Sequence, residues 1–183
     1  MANHEIIIHV ETSRFYLRNI VDDDAPHLYK LDSDPRVHIF LGNQTVKDIK
    51  VIYEMIYKIQ DQYINQGIGR WAVIEKATNQ FLGWAGLKKV TETVNGYCNY
   101  YDLGYRILPE YWGKGVASEC AAASLKYGFT TMSLDVIYAA THAENKASQR
   151  ILLKNNFTLV GQFEYFEVVQ NWYKLKRQFW GTT

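Results

Sequence analysis

The segment Leu103-Gly104-Tyr105-Arg106-Ile107-Leu108-Pro109-Glu110-Tyr111-Trp112-Gly113-Lys114-Gly115-Val116-Ala117-Ser118-Glu119 constrains this chain most. An extended run enters a Gly-Lys-Gly turn and passes straight into a helix. Glycines two apart let the backbone take left-handed angles and approach a ligand closely. The first N–H groups of the following helix have no partner within it, and the positive end of the helix dipole stands behind them. A strand, a glycine turn and a helix N-terminus in that order suit a pyrophosphate. Lys114 adds a cation at the same place. The glycine spacing is not that of a nucleotide-hydrolysing phosphate loop, and Lys114 is followed by Gly115 rather than Ser or Thr; nor is there a three-glycine dinucleotide fingerprint.

The 183 residues suffice for one domain, 1–183, with a substantial core. Hydrophobic residues at 48%, charged residues at 21% and only three prolines exclude a disordered or fibrous chain. Twenty basic against nineteen acidic side chains leave a net charge of +1, so no overall field draws nucleic acid or an anionic membrane. No apolar run approaches the roughly 18 to 20 residues that cross a bilayer. Met1-Ala2-Asn3-His4-Glu5 lacks the basic start and apolar stretch of a signal peptide, so a cytoplasmic protein is expected. In that setting Cys98 and Cys120 are expected as two free thiols, Cys120 packing within a small-residue helix.

Periodicity divides the rest of the chain. Ile6 to Val10 and Arg14 to Ile20 read as extended, and Asp22, Asp23 and Asp24 before Ala25-Pro26 predict a helix from about Asp23 to Leu31. The aspartates read as caps and solvated surface rather than as metal ligands. Asp34-Pro35 breaks that helix, and Thr45 is expected to cap a longer one reaching about Asn65, with Ile49, Ile52, Ile56, Ile59 and Tyr63 at helical intervals. Trp71 to Ile74 and Phe81 to Leu87 form a hairpin around Thr78-Asn79, in which Gly83 and Gly86 mark a bend, a close approach or packing against a neighbour such as Trp84. After the polar stretch Thr91 to Asn99 come a strand from Tyr100 to Leu108, a helix from about Lys114 to Thr130 and a strand from Val136 to Ala140. A helix opened by Glu144 to Ser148 ends at Asn155-Asn156, with Asn156 as a left-handed cap, and the strands Phe157 to Phe166 and Trp172 to Trp180 finish the chain. Helices crossing between consecutive strands after Tyr100 predict an α/β sheet of mixed direction.

Three pieces resemble the GCN5-related N-acetyltransferase (GNAT) superfamily, and within it the ribosomal-protein N-terminal acetyltransferases of the RimJ/RimL type. They are Thr12-Ser13-Arg14-Phe15-Tyr16-Leu17-Arg18, the central Leu103-Gly104-Tyr105 with Pro109 to Glu119, and Asn145-Lys146-Ala147-Ser148-Gln149-Arg150-Ile151-Leu152 closing in Asn156-Phe157. The resemblance implies a mostly antiparallel central sheet flanked by helices, with a splayed strand pair at an acetyl-CoA site. It implies acetyl-CoA as donor and an amine as acceptor, with direct attack and no acyl-enzyme. The backbone N–H groups of Gly113, Lys114, Gly115, Val116, Ala117 and Ser118 would hold the pyrophosphate. Trp112 stands where the family often has glutamine or arginine. Ile107 and Leu108 would pair with the pantetheine arm, and an N–H there would polarise the acetyl carbonyl.

Attack by an ammonium requires loss of a proton, and a departing thiolate gains from a hydrogen-bond donor. Asp102 lies where some superfamily members carry a glutamate base and is the first candidate, acting directly or through water; Glu75, Glu92, Glu119 and His142 are weaker ones. Leu152 occupies the place of the tyrosine acid of many relatives, so the Ser148 hydroxyl is expected to meet the sulfur. Asn145 is expected to contact the pantetheine amide and to cap its helix. Trp71, Trp84, Tyr100, Tyr101, Tyr165 and Trp172 are candidates to line an acceptor pocket. No metal is expected. The acceptor is expected to be a protein or peptide α-amine, with a polyamine or antibiotic, or an acyl-CoA-binding module without turnover, as alternatives.

Overall fold

The computed structural model describes residues 5–165 and 167–181. β1 (Ile8–Glu11) and β2 (Phe15–Asn19) begin one sheet, extended by β3 (Trp71–Glu75), β4 (Phe81–Val90) and β5 (Tyr100–Ile107). β6 (Val136–His142), β7 (Thr158–Tyr165) and β8 (Val168–Lys176) complete the order β1-β2-β3-β4-β5-β6-β8-β7. Each neighbouring pair is antiparallel except β5 and β6, which run parallel. A parallel pair needs a crossover, and the glycine turn and its helix supply it.

α1 (Ala25–Ser33), α2 (Pro35–His38) and α3 (Ile49–Gln66) precede the hairpin, while α4 (Val116–Lys126) and α5 (Lys146–Lys154) follow β5 and β6. Alternation along β3 separates two cores. Trp71 and Val73 join Leu103, Ile107, Val116, Cys120, Leu125 and Leu152 on one face, whereas Ala72 and Ile74 join Leu28, Leu31, Ile52, Ile56 and Ile59 on the other. The sheet is thus sandwiched, α4 and α5 on one side and α1 to α3 on the other.

Several predicted boundaries shift for identifiable reasons. Asp48, not Thr45, caps α3, its carboxylate accepting the Lys50 N–H at 2.9 Å. The aspartate run forms a short 3-10 turn, Asp22–Asp24, before α1 starts. α4 begins two residues late because Gly115 is left-handed, and it ends in a widened turn over Tyr127–Thr131. The last strand starts at Val168 and stops at Lys176, where a tight turn over Arg177–Phe179 takes over; Phe166 lies outside the described residues. Asn156 is left-handed as expected, with φ of 63°. At Gly83 the close approach is by a neighbouring strand, since a Cβ would land on the Arg106 carbonyl; Gly86 faces the Trp71 ring rather than Trp84. Both cysteines are free, and burial pushes the Cys120 thiol up to about 12, leaving it as packing.

Candidate functional site

β5 and β6 share one register pair, Asp102 with Tyr138, and then part. The gap lies between the start of α4 and the start of α5. The Leu108 N–H donates to the Leu82 carbonyl at 2.9 Å, so even-numbered residues of β5 carry the bonds to β4. Leu103, Tyr105 and Ile107 therefore turn their backbone groups toward the gap. Leu108, expected to offer its backbone to a pantetheine arm, is committed within the fold: its carbonyl also accepts from Tyr111 N–H at 3.0 Å, and its side chain is buried beneath α1. The Ile107 carbonyl accepts the Trp112 indole N–H at 2.7 Å, and the Ile107 N–H lies on the side of β5 away from β4. Trp112 thus closes the strand end from the place of a glutamine or arginine.

Gly113 and Gly115 both sit at positive φ, 73° and 75°, angles that cost a side-chain-bearing residue about 1 to 2 kcal/mol. Gly115 is the N-cap of α4, and no side chain caps that helix. The N–H groups of Val116, Ala117 and Ser118 consequently face outward from a helix end, as an anion requires. Glu119 in the first turn would repel a phosphate, but Arg14 binds it at 2.7 Å, and Ser13 and the Arg14 N–H add bonds at 3.1 and 3.2 Å. Burial works against its charge, yet the bonds from Thr12, Arg14 and Ser13 together hold its carboxyl below the usual range. Arg14 also donates to the Lys114 carbonyl at 3.0 Å, bracing the turn against the start of β2. Lys114 lies over the Tyr111 ring, 5.2 Å from its centroid. An uncapped helix end, open space at Gly113 and two nearby cations fit a pyrophosphate.

On the other side of the gap the Asn145 side chain caps α5 by accepting the Ser148 N–H at 3.1 Å. The Ser148 hydroxyl lies 2.9 Å from the Tyr105 hydroxyl, which also reaches the Ser148 carbonyl at 3.2 Å. Burial pushes the Tyr105 phenol up to about 12, so it stays protonated at neutral pH. Leu152 is buried against the core and offers no polar group there.

The face toward α1 to α3 carries charge in pairs. Arg70 is buried and binds the Asp102 carboxylate, the Asp102 carbonyl at 2.6 Å and the Gly86 carbonyl. Gly104 admits it, since a Cβ there would lie 2.6 Å from the guanidinium. One residue pair along, Arg106 binds the buried Asp32 at 2.5 Å. The Trp84 ring stands between the two guanidinium groups, 5.4 Å from Arg70 and 5.3 Å from Arg106. His38 is buried near Asp32 and Arg106 with neither ring nitrogen in hydrogen-bond geometry; burial first, and the Arg106 charge second, hold its pKa down.

Other candidates lie elsewhere. Trp71 is fully buried on the opposite face, so it lines no acceptor pocket. Tyr100 and Trp172 pack with Tyr138 as a small aromatic core, while Tyr101 packs against the α4 side. Tyr165 is exposed near the end of β7. Glu75 accepts the Thr78 hydroxyl beside the hairpin turn, and Glu92 is exposed in the connection before β5. His142, at the end of β6, stacks obliquely on Phe40 at 5.2 Å and accepts the Glu144 N–H at 3.0 Å. Asp24 is held by Arg18 through two bonds of 2.7 Å and Asp22 receives Gln60, so these aspartates brace the fold. Among the described residues no three His, Cys, Asp or Glu side chains are grouped to hold a metal ion.

A family model described as an acetyltransferase (GNAT) domain matches residues 14–158, from the arginine bracing the turn to the first residue of β7. The chain belongs to the GNAT acetyltransferase family. The uncharacterized N-acetyltransferase YoaA of Bacillus subtilis is 30% identical to this GNAT chain over 152 residues, 83% of this chain and 84% of that protein. Spermidine N(1)-acetyltransferase of Escherichia coli K12 is 27% identical over 82% of this chain and 77% of its own length. The fold matches that of RimL, a ribosomal L7/L12 alpha-N-protein acetyltransferase solved with coenzyme A, at a TM-score of 0.75 and 19% identity, over 94% of this chain and 98% of that one. The protein is an acetyl-CoA-dependent acyltransferase, with acetyl-CoA as its co-substrate.

Four residues with contacts around the splayed strand pair were not sequence candidates: Arg14, Arg70, Tyr105 and Arg106. Arg14 and Tyr105 stand inside the motif pieces, where strand alternation points Tyr105 to the same face as Leu103 and Ile107. No local signal ties Arg70 to Asp102 or Arg106 to Asp32, because those pairs join elements far apart in sequence.

Proposed function

We propose that this single domain, residues 1–183, transfers acetyl from acetyl-CoA to the α-amine of a protein or peptide in the cytoplasm, as a RimJ/RimL-type enzyme. The observation that carries the acceptor class is the pairing of charge beside the splay: Asp32 and Asp102 are each neutralised by an arginine. A polyamine brings several positive charges and needs surplus carboxylates, whereas a peptide N-terminus brings one charge and a flat backbone. In this reading the pyrophosphate lies on the N–H groups from Gly113 to Ser118, the Ile107 N–H polarises the acetyl carbonyl, and Asn145 contacts the pantetheine amide. Asp102 takes the ammonium proton through the carboxylate oxygen not bound to Arg70, directly or by way of water. The amine nitrogen bonds to the carbonyl carbon, the carbon–sulfur bond breaks, the surplus proton left on nitrogen passes to the departing thiolate, and the Ser148 hydroxyl hydrogen-bonds that sulfur.

A small-molecule amine is the second reading, favoured by the spermidine N(1)-acetyltransferase relative. Thiol release from acetyl-CoA separates the two when peptides beginning with Ala, Ser or Met are compared with spermidine. The expected result is a kcat/KM at least roughly tenfold higher for one of the peptides. A preference for spermidine overturns the α-amine assignment and leaves acetyl transfer standing.

A further inference from the structure

The two arginines on the face toward α1 to α3 spend their hydrogens differently. Arg70 is consumed by the fold: one terminal nitrogen donates to the Gly86 and Asp102 carbonyls, the other to the Asp102 carboxylate. Arg106 makes one hydrogen bond among the described residues, from Nη1 to Asp32 at 2.5 Å. A guanidinium carries its N–H donors in a rigid fork, so those of Nε and Nη2 remain unspent. The Asp32 side chain is 2% exposed and that of Arg106 is 23% exposed, so the open edge of the pair belongs to the arginine. The Trp84 ring, 5.3 Å from the guanidinium carbon, packs against it from the neighbouring strand.

Neutralising Asp32 takes one cation, which a lysine would supply as a point charge; a planar fork with spare donors suits a second oxygen. Arg106 also has the right place in the chain. It directly precedes Ile107, whose N–H lies on the side of β5 away from β4, while its own side chain reaches Asp32 of α1. An amine attacking an acetyl carbonyl held at Ile107 brings its own neighbouring atoms past that guanidinium. In a peptide N-terminus a single carbon separates the amine from the first carbonyl, whereas spermidine has no carbonyl. We propose that Arg106 is a specificity-determining residue: its free Nε and Nη2 hydrogens bind the first main-chain carbonyl of the acceptor. This rests on the α-amine reading above and adds the group by which that amine is told from others.

The test pairs a change in the protein with the loss of one acceptor oxygen. The best of the peptides beginning with Ala, Ser or Met is compared, by thiol release from acetyl-CoA, with the same peptide carrying a trans alkene in place of its first amide. The alkene keeps the direction of the chain and removes the carbonyl. The unaltered protein is expected to favour the amide by roughly 10- to 100-fold in kcat/KM, the range of a hydrogen bond to a charged group. Arg106→Lys keeps a cation on Asp32 and loses the fork; it is expected to shrink that ratio at least roughly fivefold, mainly through KM for the peptide, with KM for acetyl-CoA within about twofold. Asp32→Asn combined with Arg106→Gln leaves no unpaired buried charge and is expected to shrink the ratio by as much. The two acceptors differ in amine basicity, a difference that cancels when the ratio is compared between proteins at one pH. A ratio near one in the unaltered protein, a ratio unchanged in either variant, or an equal loss on both acceptors overturns the proposal. If the unaltered protein prefers spermidine to every peptide, the α-amine reading fails and this inference falls with it, a result distinct from the others because it needs no substitution and no alkene.

Discussion

The two sides of the splayed strand pair are built from different materials. The side that faces α4 is backbone: two left-handed glycines, an uncapped helix end and an arginine that braces the turn through a carbonyl. The side that faces α1 to α3 is side chain: two arginine–aspartate pairs with a tryptophan between the guanidinium groups and an unpartnered histidine beneath them. A phosphate can be held by any chain that presents N–H groups along a helix axis, so the first side needs only local conformation. An amine acceptor is discriminated by charge and shape, and those come from groups brought together over long distances in sequence. On the proposed reading, the half that holds the donor is therefore rigid in its requirements and general in its chemistry, while the half that meets the acceptor is particular to this chain.

Breaking a charge pair on the acceptor side should have the largest effect. Asp102→Asn leaves the buried Arg70 cation without its partner and is expected to lower unfolding free energy by about 3 to 5 kcal/mol, read by urea denaturation. A loss below about 1 kcal/mol would mean that Arg70 finds another partner. Turnover of the fraction that remains folded then tests the proton-accepting role separately: that role predicts the greatest loss at lower pH, where the ammonium form dominates, and equal activity across pH removes it.

On the donor side, Gly115→Glu puts a side chain at a φ of 75° and a negative charge in the turn. CoA affinity should fall roughly 100-fold, about 2.7 kcal/mol, while stability changes by no more than the 1 to 2 kcal/mol strain of a left-handed residue. Unchanged CoA affinity would remove the turn as the pyrophosphate site.

A smaller effect would sharpen the contrast. His38 has its pKa held below that of an unfolded histidine, so the unfolded chain binds more protons as pH falls through about 6.5. Stability should rise with pH in that window and fall below it, by no more than roughly 1.4 kcal/mol per pH unit for one residue. His9, also lowered by burial, adds a contribution of the same sign. His38→Phe should flatten the slope of stability between pH 7 and 5.5 without changing CoA affinity; an unaltered slope would assign the whole effect to His9.

The strand, glycine turn and helix start were legible because their requirements are local. Gly113, Gly115 and the small residues that open α4 are consecutive, and the angles they adopt are those their composition allows. Asn145 as a cap and Asn156 as a left-handed residue were readable for the same reason. The cap of α3 was misplaced by three residues because Thr45 and Asp48 are both good caps, and the choice follows where the apolar stripe of α3 meets the sheet. Leu108 was read as a ligand partner because its place in the strand is right. Its N–H lies on the β4 side only by virtue of register, and register is a property of two strands.

By itself, then, the sequence determined the mixed α/β sheet and the helix that begins at the glycine turn, and its resemblance to the GNAT superfamily pointed to the acetyl-CoA donor. Tertiary structure alone decided that Arg70 would hold Asp102, that Arg106 would hold Asp32, and that Tyr105 would stand against Ser148. The separations in sequence are 32, 74 and 43 residues, and no propensity or spacing acts across such lengths. Only packing the helices onto both faces of the sheet brings those side chains within reach, and electrostatics then selects the pairs.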